Sequence, residues 1–144
     1  MNDIDGIYIS INPTSMQKII QGTKQYEYRN YIPKKDFKYL YVYVTAPIAK
    51  IKYLIEIGNI VQYPQKLNGY SDGVFDFNMG TKAKYAYSIC KVFELLSPLS
   101  IEELRETYSF IPPQAFAYDT TFSKLSRHIK NSKKALIKNG NYIN

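Results

Sequence analysis

Lys24, Glu27 and Arg29 are the residues of this chain whose types and spacing suit polar chemistry. They lie in the run Gly22-Thr23-Lys24-Gln25-Tyr26-Glu27-Tyr28-Arg29. Strand periodicity sends Gln25, Glu27 and Arg29 to one face and Tyr26 and Tyr28 to the other. At a rise of ~3.3 Å per residue, Glu27 and Arg29 then stand roughly 6–7 Å apart along the strand. Two opposite charges on one face, with a lysine at the strand's entrance, suit a polar pocket. The same pair also fits a solvated surface contact worth ~0–1 kcal/mol. Which reading holds depends on the elements around it.

Two chemistries are open to such a group. Lys24 and Glu27 could activate a water for amide or phosphodiester hydrolysis, with Arg29 stabilising the developing oxyanion. As a binding site, Glu27 accepts from an exocyclic amine or a ribose hydroxyl. Lys24 and Arg29 then meet phosphate or a base carbonyl, arginine through a planar two-pronged donor set. Mutual pairing makes all three better hydrogen-bonding groups than proton-transfer groups, which favours binding.

The elements that must position them can be read along the chain. Gly6–Ile11 reads as a strand ending at Asn12-Pro13, with Asn12 a helix cap and Pro13 in the first turn. Met16, Ile19 and Ile20 form the apolar stripe of a helix over Thr14–Gln21, which Gly22 ends. Gln25–Arg29 is the second strand, and the loop Tyr31–Phe37 follows. Tyr39–Thr45 is strongly β-prone and stops at Ala46-Pro47. Ile48–Ile60 is a further strand. Val61–Thr81, with Pro64, Gly69, Gly73 and Gly80, is a long loop or a short irregular helix. Lys84–Leu95 is a long strand, and Ser100 caps a helix with Glu103 in capping-box position. Ile111–Tyr118 cannot be helical across Pro112 and Pro113. A last helix is expected from Asp119 or Thr120 to about Lys138, with Phe122, Leu125, Ile129 and Leu136 as its apolar stripe.

The order of elements predicts an α+β, mostly antiparallel, barrel-like sheet with flanking helices. The 144 residues make one domain. Within it, residues 1–118 form the main body and 119–144 a C-terminal basic helix packed on it. The single cysteine, Cys90, excludes an internal disulfide and any cysteine-based zinc site, and reads as a buried, inert thiol. One histidine, His128, excludes His-cluster metal sites. No cofactor or metal is expected. No apolar run approaches the ~20 residues of a membrane span. The first residues lack the basic and apolar regions of a signal peptide, so a cytoplasmic location is expected.

Charge is uneven. The formal net charge is +7 and the pI near 9.3. Thr120–Asn144 carries Lys124, Arg127, Lys130, Lys133, Lys134 and Lys138 with no acid, and Lys34, Lys35 and Lys38 form a second cluster. Concentrated positive charge suits a polyanion, because each neutralised phosphate releases counterions. It equally suits a solvated basic surface, or a helix that docks on an acidic protein partner. Fifteen tyrosines without tryptophan fit base stacking, although β-propensity accounts for most of them.

Three pieces in order resemble the ASCH domain family of the PUA-like superfamily. They are Ile9-Ser10-Ile11-Asn12-Pro13, followed after a helix by Gly22-x-Lys24-x-x-Glu27-x-Arg29; then Tyr41–Pro47; then Ile111-Pro112-Pro113-Gln114-Ala115-Phe116-Ala117-Tyr118. The resemblance spans roughly Gly6 to Tyr118. It implies a small pseudo-barrel with a cleft lined by the Lys–Glu–Arg element, and an RNA- or nucleotide-binding module. Thr45 would then sit at the barrel rim; by its chemistry Gln114 would offer donor and acceptor to a base edge, and Tyr118 or another pocket-edge tyrosine would stack on the base. Outside the part that resembles the family, the charge pattern leaves Lys124, Arg127, Lys130, Lys133 and Lys134 to hold the phosphate backbone. Each also has a plain structural role open to it: a strand end for Thr45, backbone pinning for Gln114, core packing for Tyr118. A subset of the family resembles amidohydrolases of acylated cytidine, and some relatives resemble ribonucleases. The amidase pattern places a threonine three residues after the lysine, where this chain has Glu27. Members often carry a basic residue where this chain has Asn12.

Overall fold

The computed structural model describes residues 5–139. Strand β1 (Gly6–Ile11) leads into helix α1 (Pro13–Gln21), whose first turn is capped by the Asn12 Oδ1, 2.8 Å from the Ser15 N–H. Gly22 ends the helix with φ of 85°, a left-handed conformation that only glycine adopts cheaply. Strands β2 (Tyr26–Arg29), β3 (Tyr39–Val44) and β4 (Lys50–Gln62) follow. Then come α2 (Val74–Met79), β5 (Tyr85–Ser100) and α3 (Ile101–Tyr108), which the Ser100 hydroxyl caps at the Glu103 N–H. The chain closes with β6 (Ala117–Tyr118), a 3-10 turn (Asp119–Phe122), α4 (Ser123–Asn131) and β7 (Lys134–Asn139).

One seven-stranded sheet runs β2-β5-β4-β3-β1-β6, with β7 also paired to β5. All pairs are antiparallel except β1 with β3, the two strands that α1 and β2 separate in sequence. Register shifts bend the long strands, three of them between β4 and β5, in the way bulges curl a sheet toward a barrel. The architecture is α+β, a curled half-barrel with helices around it.

Both faces of this sheet are buried. Ile7, Ile9, Leu40 and Val42 turn to one face, where α1 lays Met16 and Ile19 on them. The alternate residues Tyr8, Tyr41 and Tyr43 turn to the other, under Leu104 of α3 and Leu125 and Ile129 of α4. A third, smaller cluster joins Leu67, Val74, Phe77 and Ala86 behind β2, where Tyr26 and Tyr28 pack. The Val61–Thr81 stretch is thus an irregular loop carrying one short helix.

The expected C-terminal helix is the largest departure. It stops at Asn131 instead of continuing to Lys138, and Leu136, assigned to its apolar stripe, is half exposed on a strand. The Lys134 ammonium caps the helix, donating to the carbonyls of Ile129, Lys130 and Ser132 at 2.8, 3.0 and 2.8 Å. Beyond it the chain pairs with Lys91–Leu95 of β5, an edge otherwise left with unpaired N–H and C=O groups. Sheet pairing outweighs a weak helical period. Cys90 is half-buried, less enclosed than expected.

Hydrogen bonds tie the 3-10 turn and α4 to β1. The Asp119 Oδ2 accepts the Asp5 and Gly6 N–H groups at 3.1 and 3.0 Å. The Ser126 hydroxyl lies 2.8 Å from the Tyr8 hydroxyl beneath the same core. Asp119 is 6% exposed, and burial raises its carboxyl above the ordinary aspartate value despite those N–H donors. Asp119→Ala should therefore cost ~1–3 kcal/mol in urea unfolding, the penalty for orphaned buried N–H groups. A raised folded-state pKa gives stability that is fully present below the unfolded value and is lost as pH rises through the folded one. Wild type should accordingly lose stability relative to Asp119→Asn as pH climbs from about 4 toward neutrality.

Candidate functional site

The C-terminal cap of α1 returns the backbone so that the Lys24 N–H bonds to the Lys18 carbonyl at 3.1 Å. This sets Lys24 at the entrance to β2. Pairing of β2 with β5 places Glu27 opposite Tyr87, a residue of the α1-side core. Glu27 and Arg29 share that face, and Tyr26 and Tyr28 pack on the opposite one. The period-2 expectation for this strand therefore describes its geometry.

The three charges form one buried group. Lys24 and Glu27 are 8% and 5% exposed. The Lys24 Nζ lies 3.1 Å from Glu27 Oε1, and the Arg29 Nη2 and Nε lie 2.6 and 2.9 Å from Glu27 Oε2. Arg29 also donates from Nη2 to the Ser10 carbonyl at 3.0 Å and from Nη1 to the Tyr31 hydroxyl at 3.3 Å. Burial opposes its charge, yet Glu27 and Tyr31 together push its pKa above the ordinary value. Four of the five N–H groups of a guanidinium are thereby engaged. Arg29 is a structural pivot. The Lys24 ammonium makes a single described protein hydrogen bond, so of the two cations it is the one with more donors to offer. The cleft between α1 and the end of β3 is lined by other residues, Val44 and Ile48 among them, and measures about 110 Å³.

No protein-family profile and no curated protein sequence matches this chain. Solved structures do. A serine-to-alanine variant of ZmASCH from Zymomonas mobilis superposes with a TM-score of 0.67 at 21% identity, covering 92% of this chain and all of that one. ASCH from the same organism gives 0.65 at 20% identity over 90% of this chain and 96% of the other. The chain has the ASCH fold. At this identity the likeness describes the backbone, and roles for residues rest on the geometry of this chain.

Within the ASCH fold the remaining expected site residues are dispersed. Gln114 is exposed, on a segment whose flanking carbonyls are held beside Arg29: Pro113 by the Ser10 hydroxyl at 2.9 Å and Ala115 by the Tyr31 hydroxyl at 2.7 Å. Thr45 follows β3, its N–H on the Ile11 carbonyl and its own carbonyl accepting from Ile48 and Ala49. Tyr118 lies opposite Ile7 and packs edge-on against Phe116, and its hydroxyl accepts the Lys35 N–H at 3.4 Å. No described contact joins Thr45 or Tyr118 to the charged group. Ser10 and Tyr31, which sequence reasoning did not single out, touch it directly. Ser10 stands within the motif run, but the partner that gives it meaning lies 103 residues away.

The basic residues divide. Lys124, Arg127 and Lys133 are exposed. Lys134 caps α4, and Lys130 pairs with Asp5; burial lowers the pKa of both lysines. Helix α4 also lies on the face of the sheet opposite α1 and Glu27. The charged group and the basic helix are separate places on the domain. Among the described residues no group of three or more His, Cys, Asp or Glu is placed to hold a metal ion, and no helix is long and apolar enough to cross a membrane.

Removing the central carboxylate strands two buried cations, whereas removing Lys24 leaves Glu27 with Arg29. Glu27→Gln should cost ~3–5 kcal/mol in urea unfolding. Lys24→Met should cost clearly less, and the reverse order would show that the lysine pair holds the group together.

Proposed function

We propose that this chain binds RNA or a nucleotide without chemical turnover, with Lys24 and Glu27 reading a base edge or ribose. The observation that carries the proposal is the asymmetry of the buried charged group. Arg29 gives four of its five N–H groups to Glu27, Tyr31 and Ser10, while the Lys24 ammonium has one protein hydrogen bond and keeps N–H groups for a ligand acceptor. Glu27 Oε1 accepts from Lys24 alone among the described residues and retains capacity for an amine or hydroxyl donor. A neutral heterocycle with an acceptor beside an amine meets both.

Gln114, Thr45 and Tyr118 line the approaches on this reading, and exposed Lys124, Arg127 and Lys133 supply backbone contacts. Because α4 lies across the sheet from Glu27, a strand held by both surfaces passes around an edge of the domain. A mononucleotide would engage the charged group alone. The ASCH fold supports an RNA-related role of this kind.

The hydrolase reading is the weaker of the two. Glu27 occupies the place of the hydroxyl nucleophile, and no serine or threonine hydroxyl is among the described hydrogen-bond partners of Lys24 or Glu27.

Affinity for single-stranded RNA should fall steeply with salt in titrations followed by fluorescence anisotropy. The triple charge removal Lys124→Ala, Arg127→Ala, Lys133→Ala should reduce the slope of log K against log salt by about 0.7 for each phosphate that is no longer neutralised. Affinity for a mononucleotide should stay within about twofold. Lys24→Met should have the opposite profile, weakening both ligands while preserving the slope. Release of cytidine from an acylated cytidine, dependent on Lys24, would overturn the binding reading in favour of the enzyme.

A further inference from the structure

The Pro112–Phe116 segment has no sheet ladder to hold it. Two consecutive prolines lack N–H groups, and pairing with β1 begins only at Ala117. Its position is set by two side-chain hydroxyls placed symmetrically about Gln114. Ser10 donates to the carbonyl before it at 2.9 Å, and Tyr31 donates to the carbonyl after it at 2.7 Å. Both holders are tied to the same guanidinium. Arg29 donates to the Ser10 carbonyl at 3.0 Å and to the Tyr31 hydroxyl at 3.3 Å. Tyr31 is itself braced, with its ring stacked on Phe116 at 5.3 Å and 25°, and its carbonyl accepting the Tyr87 hydroxyl at 2.6 Å.

Arg29, Ser10, Pro113, Ala115 and Tyr31 thus close a ring of hydrogen bonds that spans Gln114. The Gln114 side chain is exposed and makes no hydrogen bond among the described residues. An amide with both donor and acceptor free, on a backbone pinned at each side, is organised for recognition more than for packing.

We propose that Tyr31 and Ser10 are positioning residues that hold Gln114 in a fixed relation to the Lys24–Glu27–Arg29 group, making Gln114 a specificity determinant for the base. This rests on the nucleotide-binding reading above. Tyr31 acts through Gln114, so its hydroxyl changes which base is preferred more than how tightly phosphate is held. The arrangement explains why Arg29 gives most of its donors to the protein: it couples strand β2 to the segment that carries the reading amide.

The test combines a ligand-free and a ligand-bound measurement. Tyr31→Phe keeps the stacked ring and removes only the hydroxyl, and Ser10→Ala removes the other tether. In ¹⁵N relaxation of the free protein, the Gln114 backbone order parameter should fall from the rigid range near ~0.85 toward ~0.6 or below in the double variant, with β4 and β5 unchanged. Dissociation constants for the four nucleoside monophosphates should spread over at least about tenfold in wild type. Tyr31→Phe and Gln114→Ala should each shrink that spread about fivefold, and combining them should add nothing. A rigid Gln114 in the double variant, an unchanged spread in Tyr31→Phe, or additive effects would overturn the proposal. If wild type binds none of the four, the nucleotide reading fails and the specificity role falls with it. The order parameter alone then decides whether the tethers hold the segment.

Discussion

A carboxylate removed from water costs several kcal/mol unless positive charge and hydrogen bonds replace the lost solvent, and Glu27 lies under that constraint at 5% exposure. Its two oxygens divide the compensation between Lys24 and Arg29. The neighbouring structure follows from satisfying those three groups together. The glycine cap of α1 turns Lys24 inward, β2 pairs with β5 in the register that puts Glu27 over Tyr87, and the remaining Arg29 donors reach Ser10 and Tyr31. The end of β1 meets the guanidinium directly, and the helix end and the proline segment are linked to it through Glu27, Ser10 and Tyr31. The value of such a network lies in its geometry more than in stability, because a well-packed apolar group is often as stable as a buried ion pair.

The legible parts of the sequence were those governed by local rules. Asn12-Pro13 and Gly22 bracket α1 because capping depends on a few adjacent residues. The alignment of Glu27 with Arg29 followed from the two-residue period of a strand. Tyr39–Thr45 read as a strand from β-propensity alone, and β3 ends one residue short of that. What escaped was set by distant partners. The Lys134–Asn139 stretch has a pattern compatible with a helix, and only the open edge of β5 makes it a strand. Ser10 and Tyr31 are ordinary residues until the fold brings Pro113 and Ala115 beside them. Lys130 and Lys134 counted as free charge in the sequence because Asp5 and the end of α4 are seen only in three dimensions.

The sheet itself separates the two surfaces that the charge pattern first suggested would act together. Side chains alternate across β1 and β3, so Ile7, Ile9, Leu40 and Val42 face α1 while Tyr8 and Tyr41 face α4. An element packed on one face cannot contribute to a site on the other except around an edge. The bond from Asp119 to Gly6 and that from Ser126 to Tyr8 fix α4 in this place. Its exposed cations are therefore a second surface, and any coupling to Glu27 runs through a ligand long enough to reach both.

The burial of the charged group bears on how a ligand would enter. Opening Arg29 would break its bonds with Glu27, Ser10 and Tyr31 and leave the two holders of the proline segment without their common anchor. Turning Lys24 outward breaks one described hydrogen bond and leaves Glu27 still held by arginine. The ammonium is a compact point charge on a flexible stem, whereas the guanidinium fork is matched to its carboxylate. Exchange of the lysine's bond for a ligand's is the low-cost movement, and it leaves the frame around Gln114 intact. On that basis the lysine is the adjustable member of the trio and the arginine the fixed one, and on the proposed reading the carboxylate between them receives a ligand's donor.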